Sequence, residues 1–195
     1  SLSPFAIFEP ASSEPKLFYL HGTGPNSNPP TLFLNNTAPI VTTAKFKDSA
    51  AVNLSGGNPW KEMGTWPAGS ALTTGTLTGL DTLHVWLGLK NSDDQGTRFD
   101  LRAEVYRNSM LVATGESYCI QRVTRNPSLA KEVTVTFGSF SPAVFDGNTD
   151  SLSLKVLTRI GTDGAGSFCG GHSNAVGLRL YFDAASRPAK LSATF

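Results

Sequence analysis

The stretch "LHVWLGLKNSDDQGTRFDLRAEVYRN", residues 83–108, sets the fold class. Leu83, Val85, Leu87 and Leu89 recur at every second position, and Phe99, Leu101, Ala103 and Val105 do the same beyond a polar segment. Strict alternation of this kind marks a strand with one face in a core. The segment between them, "NSDDQGT" (91–97), is rich in turn-forming Asn, Asp and Gly, so the whole reads as a β-hairpin. Its other face should be bland, yet it carries His84, Trp86, Lys90, Arg102, Glu104 and Tyr106. With Lys90 opposite Arg98, the register brings Trp86 beside Arg102 and His84 beside Glu104, with Tyr106 near. A slip of one residue would turn both apolar rows to solvent.

The pattern continues toward the C-terminus. "MLVATGESYCIQRV" (110–123), "KEVTVTFGSF" (131–140), "SLSLKVLTRIG" (151–161) and "AVGLRLYFD" (175–183) each read as strands. Over 151–161, Leu152, Leu154 and Val156 point inward and Lys155 and Arg159 outward. Over 175–183, Val176, Leu178, Leu180 and Phe182 point inward and Arg179, Tyr181 and Asp183 outward. "KLSATF" (190–195) reads as a closing edge strand. Residues 1–79 form a loop-rich N-terminal part with strands expected at "FAIF" (5–8), "KLFYLHG" (16–22) and "TLFLNN" (31–36). The Pro-rich "TGPNSNPP" (23–30) cannot be regular structure. Residues 37–79 read as a long loop with short strands, in which Trp60 and Trp66 either plug the end of the fold or mark a binding edge. No segment shows helical periodicity. These observations predict an all-β chain, a jelly-roll-like β-sandwich of two antiparallel sheets, as one domain over residues 1–195.

Composition agrees. The 195 residues are 39% hydrophobic and only 16% charged, with 19 Gly, which suits short strands and turns. A net charge of +1 gives no global attraction to nucleic acid, and no apolar run approaches the roughly 20 residues a membrane-spanning helix needs. Cys119 and Cys169 sit in no CxxC or Cys/His cluster. A single disulfide is the expectation, with two buried thiols as the alternative, and a disulfide implies export. Such a link contributes roughly 3–4 kcal/mol by loop entropy.

The candidate chemistry follows from the outward residues. If strands 151–161 and 175–183 share the hairpin's sheet, Lys155, Arg179 and Tyr181 join its polar face. Trp86, Arg102, Tyr106, Arg179 and Tyr181, with His84, Glu104 and Lys155 at the margins, then form a surface for a polysaccharide. Rings stack on sugar faces, and Arg and Lys pair with acid groups, so the cationic bias favours an acidic polymer. The bland alternative is a structural face of cross-strand pairs in an adhesive or spacer domain. Asn91, Asp93 and Asp94, with Asp100, offer oxygens for a structural Ca²⁺, although they lack the EF-hand spacing and make good turn residues regardless. No other cofactor is expected. The sequence has no GxSxG elbow, P-loop or dinucleotide fingerprint, so a non-enzyme is expected. The runner-up is a polysaccharide lyase with His84 or Tyr106 near the base position and Arg102 and Arg179 neutralising the sugar carboxylate.

The segments "LGLKNSDDQGTRFDLRAEVYRN", "GESYCI", "TRIGT" and "GHSNAVGLRLYFDAASRP" resemble a bacterial secreted β-sandwich accessory domain over about residues 80–190. At the level of fold, this is similar to non-catalytic carbohydrate-binding modules. The resemblance implies an extracellular or cell-surface location, other domains in a larger polypeptide, and a role in ligand or surface adhesion.

Overall fold

The structure, a computed structural model, describes residues 13–195, so the strand expected at 5–8 lies outside the described residues. In chain order the strands are β1 (Pro15–Thr23), β2 (Thr31–Asn35), β3 (Lys45–Asp48), β4 (Val52–Asn53), β5 (Lys61–Pro67), β6 (Gly75–Leu77), β7 (Gly79–Leu80) and β8 (Leu83–Leu89). They continue with β9 (Phe99–Arg107), β10 (Met110–Ile120), β11 (Lys131–Val135), β12 (Ala143–Phe145), β13 (Leu152–Ile160), β14 (Asn174–Ala175), β15 (Leu178–Phe182) and β16 (Lys190–Thr194). The large sheet runs β2-β1-β16-β8-β15-β3, with β11 also on β8 and β7 on β16. The small sheet runs β10-β9-β13-β5. Every strand pair in both sheets is antiparallel. The chain is an all-β sandwich. No helix of the described residues is long and apolar enough to cross a membrane.

The core lies between the sheets. From the large sheet come Phe18, Leu20, Leu34, Leu83, Val85, Leu87, Leu178, Leu180, Phe182 and Leu191; from the small sheet come Phe99, Leu101, Val105, Leu154, Val156 and Ile160. The alternation read in the sequence therefore assigns the buried faces correctly in β8, β9 and β13. Trp66, from the stretch read as loop, is fully buried on β5, with its ring edge-on to Phe182 at 5.4 Å.

Strand partnership differs from expectation. β8 and β9 do not pair: β8 lies in the large sheet and β9 in the small one. Their apolar rows face each other across the core instead of lying side by side. Alternation specifies which face of a strand is buried and not which strand lies next to it, so the hairpin and the crossing fit the same pattern. The crossing segment turns through Ser92–Asp94, where Asn91 accepts a hydrogen bond from the Asp93 amide. It is pinned to the segment just before β15 by the buried Asp94 carboxylate, which accepts the Val176 amide at 2.9 Å.

Three smaller corrections share this cause or a local one. The strands expected at 151–161 and 175–183 fall in opposite sheets, as β13 and β15. The "closing edge" strand β16 is interior, between β1 and β8. Val176 is exposed, because Gly177 takes a φ of +154° and β15 starts only at Leu178.

The disulfide between Cys119 and Cys169 is formed. Cys119 sits at an irregularity of the β10–β9 ladder, with a φ of +51° that few side chains tolerate. It ties the end of β10 to the Gly-rich segment 161–174.

Candidate functional site

Because β8 and β9 belong to opposite sheets, the residues expected to form one face are divided between two. Arg102, Glu104, Tyr106 and Lys155 lie on the outer face of the small sheet. His84, Trp86 and Arg179 lie half-buried on the outer face of the large sheet; Tyr181 is on the same side of β15 but, against expectation, is buried there between Trp86 and Phe46. The juxtaposition of Trp86 with Arg102, and of His84 with Glu104, is corrected accordingly: the core separates them.

On the small sheet the charges satisfy one another. Arg102 donates to Glu116 at 2.5 Å and lies 3.7 Å from Glu104. Tyr106 donates to Glu104 at 2.6 Å, and the Lys155 ammonium lies 5.0 Å from the centre of the Tyr106 ring. Trp60, half-buried just before β5, is held between Arg102 and Arg159, at 4.3 and 4.4 Å from the ring centre. Each cation has an acid or a ring as partner, which is how a sheet face stabilises itself.

Glu104 has a readable consequence. Its hydrogen bond, with burial second, pushes the Tyr106 phenol up from 10.0 to about 12. The folded state therefore holds this proton more tightly than the unfolded chain. The resulting stabilisation is complete below about pH 10 and is lost as pH rises through about 12. Tyr106→Phe is expected to flatten the alkaline stability loss in that window and to remove the step near pH 12 from the tyrosinate absorbance curve. An unchanged curve would contradict the assignment.

On the large sheet the outward residues do not close the surface. Trp86 is in register between Glu132 of β11 and Tyr181 of β15, and His84 between Thr134 and Lys190. His84 lies 3.1 Å from the exposed Glu132 carboxylate. Next to them, over β15 and β3, is a cavity of about 380 Å³. Its walls include Phe46, Tyr181, Arg179 and Arg187, with Thr43 and Ser128 at the polar side.

Arg179 is fixed twice: both of its hydrogen bonds go to Asp48, at 2.8 and 3.0 Å, and its guanidinium lies 3.6 Å from the centre of the Phe46 ring. The Asp48 carboxylate holds the guanidinium above its ordinary range. The Phe46 and Tyr181 rings meet edge to face at 6.1 Å. Gly88, opposite Arg179, leaves room for Tyr181: a Cβ there would come within 2.7 Å of the ring. Trp86 is not part of the wall; it lies under Arg187, whose guanidinium is 5.7 Å from the indole centre.

Of the expected binding residues, the cavity thus uses Arg179 and Tyr181. Phe46 and Arg187 come from stretches that gave no strand signal. A Gly inside the apolar run of β8 is the one sequence sign of a bulky neighbour on that face.

The residues considered for calcium have other duties. Asn91 caps the 92–94 turn, Asp94 holds Val176, and Asp93 is exposed. Asp100 is fully buried and spent on protein donors. Among the described residues no group of three or more His, Cys, Asp or Glu is placed to hold a metal ion. Of the residues considered for a lyase, His84 and Arg179 share the outer face of the large sheet, and Tyr106 and Arg102 that of the small sheet.

No protein-family model and no curated protein matches the chain. Among solved structures, an alpha-amino acid ester hydrolase superposes on 92% of this chain with a TM-score of 0.54 at 9% identity. A CocE/NonD family hydrolase from Staphylococcus aureus covers 94% of it with a TM-score of 0.47 at 15% identity. The chain spans 36% and 37% of those two proteins. At such identity the likeness to the ester hydrolase is one of fold alone.

Proposed function

We propose that this chain is a non-catalytic carbohydrate-binding module of a secreted bacterial protein, and that the cavity on the outer face of the large sheet receives a unit of a polysaccharide. The observation that carries this reading is the composition of the cavity wall. A half-buried ring, Phe46, backed by the buried ring of Tyr181, stands beside guanidinium groups and the hydroxyls of Thr43 and Ser128. Sugars present both apolar C–H faces and hydroxyls, and a concave wall that mixes rings with a few polar groups is suited to them. The size falls in the range of small-ligand sites. The Cys119–Cys169 disulfide supports residence in an oxidising compartment. Attachment to further domains is part of the same reading, as a binding module acts on behalf of a larger polypeptide.

Native-gel retardation across a panel of soluble polysaccharides tests this. Wild type is expected to be slowed by at least one polymer. Phe46→Ala should weaken that binding by roughly tenfold, the scale for truncating a ring at the centre of an interface. Thr43→Trp, at an exposed position on the cavity wall, should weaken it as well while leaving Phe46 and Arg179 stacked. Folded wild type that no polymer retards, or equal retardation of all three proteins, would overturn the proposal.

A further inference from the structure

The two guanidinium groups of the cavity differ in one respect that bears on the ligand. Arg179 is neutralised by Asp48 through two hydrogen bonds. Arg187 is held by neutral groups: it donates to the Pro127 carbonyl at 2.8 Å and to the Ser128 carbonyl at 2.7 Å. Among the described residues it forms no ion pair with a carboxylate. The indole of Trp86 lies under it and the turn Pro127–Leu129 beside it. A guanidinium has five N–H donors, so this one keeps donors to spare after its two carbonyls. Arg187 is also half-buried, so its position is set by packing as well as by these bonds.

The cavity wall as a whole, counting Arg179 with its Asp48, therefore carries one uncompensated positive charge at a fixed place. A neutral sugar would leave that charge unmatched, whereas an anionic substituent would complete it. Charge-assisted hydrogen bonds of this kind are about twice as strong as neutral ones.

Resting on the carbohydrate reading of the cavity, we infer that Arg187 selects for an acidic saccharide, pairing with the carboxylate or sulfate of the unit that sits against Phe46 and Tyr181. Arg187 is a specificity-determining residue. Arg179, tied to Asp48, shapes the wall without adding net charge.

The experiment compares polygalacturonate, dextran sulfate and uncharged dextran as gel additives, with wild type, Arg187→Gln and Arg187→Lys. Wild type is expected to bind one of the acidic polymers, and whichever of the two is preferred identifies the anionic group as carboxylate or sulfate. Arg187→Gln should weaken that binding by roughly tenfold, the scale of one hydrogen bond to a charged group. Arg187→Lys should retain part of the preference, because charge survives while the planar fork is lost. Rising salt should erode the preference in wild type and leave Arg187→Gln little changed.

Melting curves of both variants separate a local effect from loss of the fold, and the Lys variant keeps the inference open to refutation if the Gln variant is unstable. Wild type that binds uncharged dextran as well as the acidic polymers, or acidic binding that survives in folded Arg187→Gln, would overturn the role of Arg187 and leave the carbohydrate reading standing. Retardation by none of the three polymers would overturn the role of Arg187, and retardation by no polymer of the wider panel would overturn the carbohydrate reading as well.

Discussion

Asp100→Ala is expected to lower the unfolding free energy by about 3–5 kcal/mol, the scale for removing one member of a buried, charge-assisted network. Asp100 is fully buried although it lies on the outward side of β9, between the inward Phe99 and Leu101. Its carboxylate accepts the Cys119 amide at 2.9 Å, the Thr162 amide at 2.9 Å, the Thr162 hydroxyl at 2.7 Å and the Arg159 guanidinium at 2.9 Å. Alanine would leave buried amides and a hydroxyl without an acceptor, and each orphaned group costs about 1–3 kcal/mol. Arg159 would lose less, since it is partly exposed and keeps its contact with Trp60. Urea denaturation with an unchanged slope and a lowered midpoint is the expected result. A shift below about 1 kcal/mol would mean that water replaces the carboxylate at little cost.

The second large effect belongs to the disulfide. Its cysteines are 50 residues apart in sequence, which gives a loop-entropy contribution of roughly 4 kcal/mol. Denaturation with and without reductant, or with both cysteines replaced by serine, should show a loss of this order. The two predictions are coupled. Asp100 binds the amide of Cys119 itself and that of Thr162, so it orders both ends that the disulfide joins. With Asp100 already alanine, breaking the disulfide should change stability by an amount different from its effect in wild type, a departure from additivity of about 0.5–3 kcal/mol. Strict additivity would show that the link acts only on the unfolded chain.

The buried faces of the central strands were legible because period-two alternation is a local property. Leu83, Val85, Leu87 and Leu89, and their counterparts on β9 and β13, are fully buried as read. Partnership was not legible. The polar run 91–97 satisfies turn chemistry whether it closes a hairpin or carries the chain across the sandwich, and tertiary bonds such as those from Asp94 to Val176 and from Lys90 to Gly177 distinguish the two. The same ambiguity made β16 look like an edge, since its alternation is identical with or without a neighbour on each side.

The candidate site suffered most, because its membership depended on partnership. Arg179 and Tyr181 were found from their outward positions on β15. Phe46 was hidden in a Ser- and Thr-rich stretch, and Arg187 in the loop after β15, where no periodicity points at anything. The disulfide was readable from cysteine count alone.

The crossing of residues 90–98 has one last consequence. By sending β8 and β9 to different layers, it gives the domain a back and a front. The back, around Trp60, Arg102 and Glu104, has spent these charges internally. The front, around Phe46 and Arg187, has not. Substitutions on one side should therefore be silent on the other.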